Sequence, residues 1–262
     1  MKKKNAKLSD EWYCSLEKEK IVSIKTDEIF AKYGLICDRR ESKTEQDRGI
    51  DFLLSGRKVD EKAAVSCIHF NLQTFVAEIY HWEHINKEGW FNNSISETDD
   101  YLFVYVRTTG ELTAASDIWR YEGLIINAKL LKAYFSFFGD LVKDIKLFLD
   151  WDRLSKHKDF TYALYDGGKC DSAKLIFSKK FDAPAINLQL SKALLLEMSK
   201  EIFYWKKKNG KEVFIHKKQY AKIPKETIDR LKYCQAHYNE IIENIKKAFN
   251  SLPITNKLKK TP

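Results

Sequence analysis

No run in this sequence approaches the ~20 apolar residues that a membrane-spanning helix needs, so no membrane partner is expected. Its five cysteines (Cys14, Cys37, Cys67, Cys170 and Cys234) are odd in number and scattered, with no CxxC pair. That usage fits a reducing cytoplasm and argues against a disulfide framework. The basic start, Met1-Lys2-Lys3-Lys4, is followed by no apolar segment and does not read as a signal peptide. Gly-rich phosphate loops and nucleophile-elbow serines are missing, so P-loop, kinase and serine-hydrolase chemistries have no footing. Internal repeats are missing as well.

What is present supports a folded core: 44% of the 262 residues are hydrophobic and 13% aromatic. The formal charge of +9 is unevenly spread, with 24 Lys/Arg against 12 Asp/Glu in residues 151–262 and 22 against 25 before them. A near-neutral first part and a basic second part point to a polyanionic partner, nucleic acid before an acidic membrane surface. The plainer reading is a lysine-rich surface that serves solubility.

Apolar periodicity predicts a helix over residues 10–33, started at Ser9 or Asp10 and stopped by Gly34, then a short strand at Leu35-Ile36-Cys37. Residues 72–82 and 118–126 read as strands, and 100–106, almost wholly apolar, as a buried central strand. Helices are expected from Ala128 to about Leu149, over 188–207 and over 225–250, the last with Pro224 near its start. These elements predict a mixed β-sheet flanked by helices over residues 1–155, and a basic, largely helical region over 156–262 that binds DNA or packs on the core.

The stretch from Arg48 to Ala63 carries the chemistry. Ser55-Gly56-Arg57-Lys58 suits a two-residue hairpin loop with Gly56 at the first central position, a type II′ turn. Asp51 then lies opposite Lys62, and Leu53 opposite Asp60. Opposed residues share a face and neighbours alternate, so Asp51, Asp60 and Lys62 meet on one side while Glu61 points to the other. Glu61 would replace Asp60 only through a one-residue slip, which would turn the whole apolar set over. Two carboxylates and an ammonium in one place can hold a divalent cation and activate a water beside it.

A helix, a strand, Asp51 and then Asp60-Glu61-Lys62 resemble the PD-(D/E)XK nuclease superfamily, which includes many type II restriction endonucleases. Its signature is an acid on the second core strand and a (D/E)-x-K triplet on the third. Asp51 matches the first position, and Asp60 with Lys62 the triplet. Ile50 stands where the signature has proline, and the likeness covers about residues 15–130. The resemblance implies a restriction-endonuclease-like core of α/β (α+β) class. It also implies Mg²⁺ (with Mn²⁺ as a substitute) held by Asp51, Asp60 and the Glu61 backbone carbonyl, hydrolysis of DNA without a covalent intermediate, and a homodimer. RNA cleavage and non-catalytic nucleic-acid binding on a nuclease-like scaffold are the alternatives.

Some superfamily members add a further acid; Glu28 and Glu45 are the candidates here, with Glu19 behind them. Each is also an ordinary surface charge. Cys67, His69, His81 and His84 match no common zinc pattern, and Cys234 with His237 reads as packing. Lys206, Lys207, Lys208, Lys217 and Lys218, with Lys257, Lys259 and Lys260, are interleaved with Phe203, Tyr204, Trp205, Phe214 and Tyr220. Lysines on phosphates and aromatics on bases would make such a segment a nucleic-acid surface, and amphipathic packing would explain it equally.

Overall fold

The structure is a computed structural model, described over residues 10–65, 72–81, 95–148, 160–166, 172–180 and 183–252. The first helix, α1 (Asp10–Ala31), ends where Gly34 takes φ +68° and the Leu35 N–H donates back to the Phe30 carbonyl. A left-handed C′ residue of this kind is what glycine permits at low cost. Then come β1 (Cys37–Arg39), a short helix α2 (Lys43–Asp47) capped by Ser42, β2 (Phe52–Leu54) and β3 (Arg57–Ala63). β4 (Thr74–His81), β5 (Asp100–Thr108), β6 (Ile118–Asn127) and α3 (Ala128–Phe148) complete the first part.

The second part holds β7 (Phe160–Asp166), β8 (Ser172–Lys180), β9 (Ala183–Ser191), α4 (Lys192–Met198), β10 (Ser199–Lys208) and β11 (Lys211–Lys218). It closes on α5 (Lys225–Ala236) and α6 (Tyr238–Asn250). Its end is therefore helical as expected, but residues 188–207 are not one helix. They form the end of β9, a two-turn helix and most of β10. The strand pattern is visible in hindsight: Phe203 and Trp205 are buried while Tyr204 and Lys206 are half-exposed, a period of two.

Two sheets result. The larger runs β1-β2-β3-β5-β6-β10-β11, and the smaller runs β4-β9-β8-β7. Among the described strands, β3 and β5 are the one parallel pair, which obliges the chain to cross over between them, and β4 lies in that crossover. Each sheet draws strands from both sides of residue 155. β4 pairs with β9, and β10 pairs with β6.

The larger sheet has a core on each face. On one, α1 packs Val22, Ile29 and Phe30 against Phe52, Val59, Leu102, Val104 and Phe203. On the other, Tyr101, Phe103, Tyr105, Leu124 and Ile126 pack with Phe75 and Ala77 of β4 and with α3 residues such as Leu131, Tyr134 and Phe138. The start of β5 is fixed electrostatically: Asp100, 2% exposed, accepts from Arg57 Nε at 2.5 Å and Lys200 Nζ at 2.6 Å. Among the described residues, no helix is long and apolar enough to cross a membrane.

Candidate functional site

The β2–β3 hairpin turns through Ser55 (φ +50°) and Gly56 (φ +80°), the two positive-φ residues of a type I′ loop. The pairing is Phe52 with Val59, Leu53 with Lys58 and Leu54 with Arg57, displaced by two from the expected register. A two-residue displacement preserves every side chain's face. Asp60 and Lys62 therefore still share one face, and Asp51, in a bend just before β2, meets them there through its hydrogen bond to Asp60 and its charge on both. The Asp51 N–H donates to the Val59 carbonyl at 2.9 Å, and its Oδ2 accepts the Glu61 N–H at 2.6 Å.

Asp60 is 2% exposed, and Lys62 Nζ lies 2.6 Å from its Oδ1. Burial raises the Asp60 carboxyl to a pKa of about 7; Lys62 opposes the rise, and the charge and hydrogen bond of Asp51 reinforce it. Burial also works against the Lys62 ammonium, but Asp60 and Asp51 outweigh it and keep Lys62 charged. Tyr101 sits beside Asp60 in the parallel ladder, its hydroxyl pushed up to about 12 by burial first and by the Asp60 charge next.

Gly49 lies beside this cluster. Its φ is +71°, and a Cβ there would lie 2.7 Å from Thr98 Oγ1 and 3.4 Å from Asp60 Oδ2. The positive φ and the close approach to Thr98 are what only glycine allows, and Thr98 Oγ1 locks the chain beside Asp60 by donating to the Gly49 carbonyl at 2.7 Å.

Glu61 is directed to the opposite face, as alternation requires. Its carboxylate, 4% exposed, accepts from Ser23 Oγ at 2.9 Å and Arg39 Nη1 at 2.6 Å, and also from Thr26 Oγ1. Arg39 in turn holds Asp27 through Nη2 at 2.7 Å.

The third-acid candidates are placed differently from expectation. Glu28 pairs with Lys25 at 2.9 Å on the side of α1 that faces Trp205, and Lys25 lies 4.2 Å from that ring. Glu45 accepts from Ser42 Oγ at 2.7 Å in the cap of α2. Glu19 instead lies within electrostatic range of the cluster. Partial desolvation raises its carboxyl pKa, Lys62 lowers it, and Asp51 and Glu61 raise it. Glu19 is exposed by surface area, which tempers the desolvation; its charged neighbours are what locate it. The signal was in the sequence. Glu19, Val22, Thr26, Ile29 and Phe30 fall on one helical stripe, whereas Glu28, nine residues from Glu19, lies half a turn away.

Among the described residues, no three His, Cys, Asp or Glu side chains stand close enough to form a metal cluster. The donors that do meet are the Asp51 and Asp60 oxygens. They fit Mg²⁺, which takes one or two carboxylates and completes its shell with water and phosphate. Two opposed carboxylates, one of them held near pH 7, also form a site where a divalent cation would relieve repulsion.

The expected nucleic-acid segment is divided. Phe203 and Trp205 are core residues, and Phe214 packs at the edge of that core, so these three rings are not open to bases. Alternation also splits the lysines: Lys206 and Lys208 project from one face of β10 and Lys207 from the other, while Lys217 and Lys218 take opposite faces of β11. Lys257, Lys259 and Lys260, like Cys67, His69 and His84, lie outside the described residues. Cys234 is buried, with its Sγ 3.8 Å from the Leu164 carbonyl oxygen, and His237 stacks on Tyr233 at 3.9 Å, so this pair serves packing.

No known family, curated protein or solved structure matches this chain.

Proposed function

We propose that this protein is a Mg²⁺-dependent endonuclease that hydrolyses DNA phosphodiester bonds on a restriction-endonuclease-like core. The observation that carries the reading is the face shared by Asp51, Asp60 and Lys62, with Asp60 buried against both partners. Its setting supports the same reading: a helix, three antiparallel strands with the acids at the second and third, and a fourth strand parallel to the third.

Asp51, Asp60 and the Glu61 carbonyl would hold the metal, with Glu19 as a further acid in electrostatic range. Bound there, Mg²⁺ or Mn²⁺ supplies Lewis-acid activation of a water and neutralises charge on the phosphate. Lys62 stays protonated beside Asp60, so it acts as a fixed positive charge that orients the attacking water and stabilises the extra negative charge of the transition state. Asp60, near pH 7, must shed its proton before it can serve as a ligand. Gly49 and Thr98 hold the wall of the site in place.

Nicking of supercoiled plasmid tests this directly. Wild-type protein with Mg²⁺ should nick the plasmid; EDTA should abolish the reaction, and Lys62→Ala should slow it about 100- to 1,000-fold. Cleavage by Lys62→Ala at the wild-type rate would overturn the assignment. Matched DNA and RNA oligonucleotides identify the substrate, and binding to both without turnover would mark a scaffold that has lost catalysis.

A further inference from the structure

The larger sheet carries a second charged cluster that the proposed chemistry does not use. Arg107 of β5 pairs across Arg120 of β6, and Arg120 pairs across Lys206 of β10. Directly opposed residues share a face, so three cations stand side by side on adjacent strands, an arrangement that like charges disfavour. Among the described residues, no carboxylate pairs with Arg107 or Lys206; each lies 5.7 Å from the Trp119 ring. Arg120 lies 5.3 Å from the Tyr204 ring and only 3.4 Å from Glu122. Glu122 is already engaged by the buried ammonium of Lys192 at 2.7 Å.

A cleft beside the row is lined by Tyr105, Arg107, Arg120, Glu122 and Lys192, among others. Tyr105 is 6% exposed, and its hydroxyl has no hydrogen-bond partner among the described residues. That hydroxyl is enclosed, so recognition falls to the row: two cations without a carboxylate partner, and a third that shares its carboxylate with Lys192, are matched by an anion with several acceptor oxygens.

We propose that this row binds the phosphodiester backbone of nucleic acid, with Arg107, Arg120 and Lys206 on phosphate oxygens. The inference rests on the nucleic-acid reading above but concerns a different place. Arg107 lies six residues along β5 from Tyr101, the ladder partner of Asp60, or roughly 20 Å from the acid cluster. Phe75 of β4 packs on Phe103 and Tyr105 between the two. The row therefore anchors nucleic acid away from the scissile bond and reads charge, not sequence.

The test is fluorescence anisotropy of labelled single-stranded and duplex DNA in EDTA across a salt series. The Arg107→Gln/Arg120→Gln protein should bind about 10- to 100-fold more weakly, with a salt slope lower by about 2. Arg107→Lys/Arg120→Lys should keep the slope. Lys129→Gln/Lys143→Gln, which removes two exposed charges from α3, should match wild type. Should the glutamine pair unfold in a thermal melt, Lys206→Gln carries the test with a slope lower by about 1. Wild-type affinity and slope in the folded glutamine pair, or in Lys206→Gln, would overturn the inference and leave the proposed function standing. Absence of salt-dependent binding by the wild-type protein would overturn both.

Discussion

Asp60 and Glu61 are neighbours in the chain, and both carboxylates are nearly inaccessible, yet their surroundings differ in kind. Glu61 faces α1, where a serine, a threonine and an arginine satisfy it. Asp60 faces a second acid and one lysine; burial raises its pKa to about 7, Asp51 adds to the rise, and Lys62 does not offset it. An acid whose lone pairs are filled by its own protein is structural. One crowded against a like charge has an interaction to offer a cation. The difference follows from strand alternation, which sends adjacent residues to opposite faces of one sheet.

The comparison breaks most visibly at Glu61. Glu61→Ala removes the acceptor from the Arg39 network and leaves Ser23 and Thr26 without it, so chemical denaturation should show a loss of about 3–5 kcal/mol. A loss below about 1 kcal/mol would mean that Glu61 is not the structural acid described here.

Asp60 should show the opposite behaviour through pH. Its folded pKa of about 7 exceeds the ordinary value of 3.8, so the folded state holds the proton more tightly. Stability from this group is complete below about pH 4 and is lost as pH rises through about 7. Metal-free wild-type protein should thus lose on the order of 3 kcal/mol relative to Asp60→Asn between pH 4 and pH 8, read by thermal melts of both. Mg²⁺ affinity should rise over the same interval as Asp60 ionises. Parallel melts for the two proteins would remove Asp60 as the cause.

The smallest effect concerns the acids on α1 and α2. Glu19→Gln should slow plasmid cleavage about tenfold, equivalent to roughly 1.4 kcal/mol, and raise the Mg²⁺ requirement. Glu28→Gln and Glu45→Gln should change the rate less than about twofold, since one serves a surface pair and the other a helix cap. Equal losses for Glu19 and Glu28 would erase the distinction drawn from the helical stripe.

Much of this was legible beforehand for a physical reason. The period of two along β3 assigns Asp60 and Lys62 to one face and Glu61 to the other before any partner strand is known. The hairpin register could therefore be off by two while the cluster stayed intact. Helices α1 and α3 followed from local sequence pattern, and the buried strand β5 from its nearly unbroken apolar run. Residues 188–207 misled because apolar residues around Leu194 and Leu195 suit a helix, and a short one does form there. The strands on either side are decided by ladders with β4, β8, β6 and β11, none of them local. The aromatic side chains of β10 likewise look available in a linear sequence, and only packing against Phe30 puts Phe203 in the core.

The sequence alone determined the residue types at the cluster and the face that Asp60 and Lys62 share. These depend on alternation, which adjacent residues already set. Tertiary structure decided that Asp51 meets Asp60 and that Arg107, Arg120 and Lys206 form a row. Each of those depends on which distant segments are brought together, and burial of apolar surface across the two sheets makes that choice.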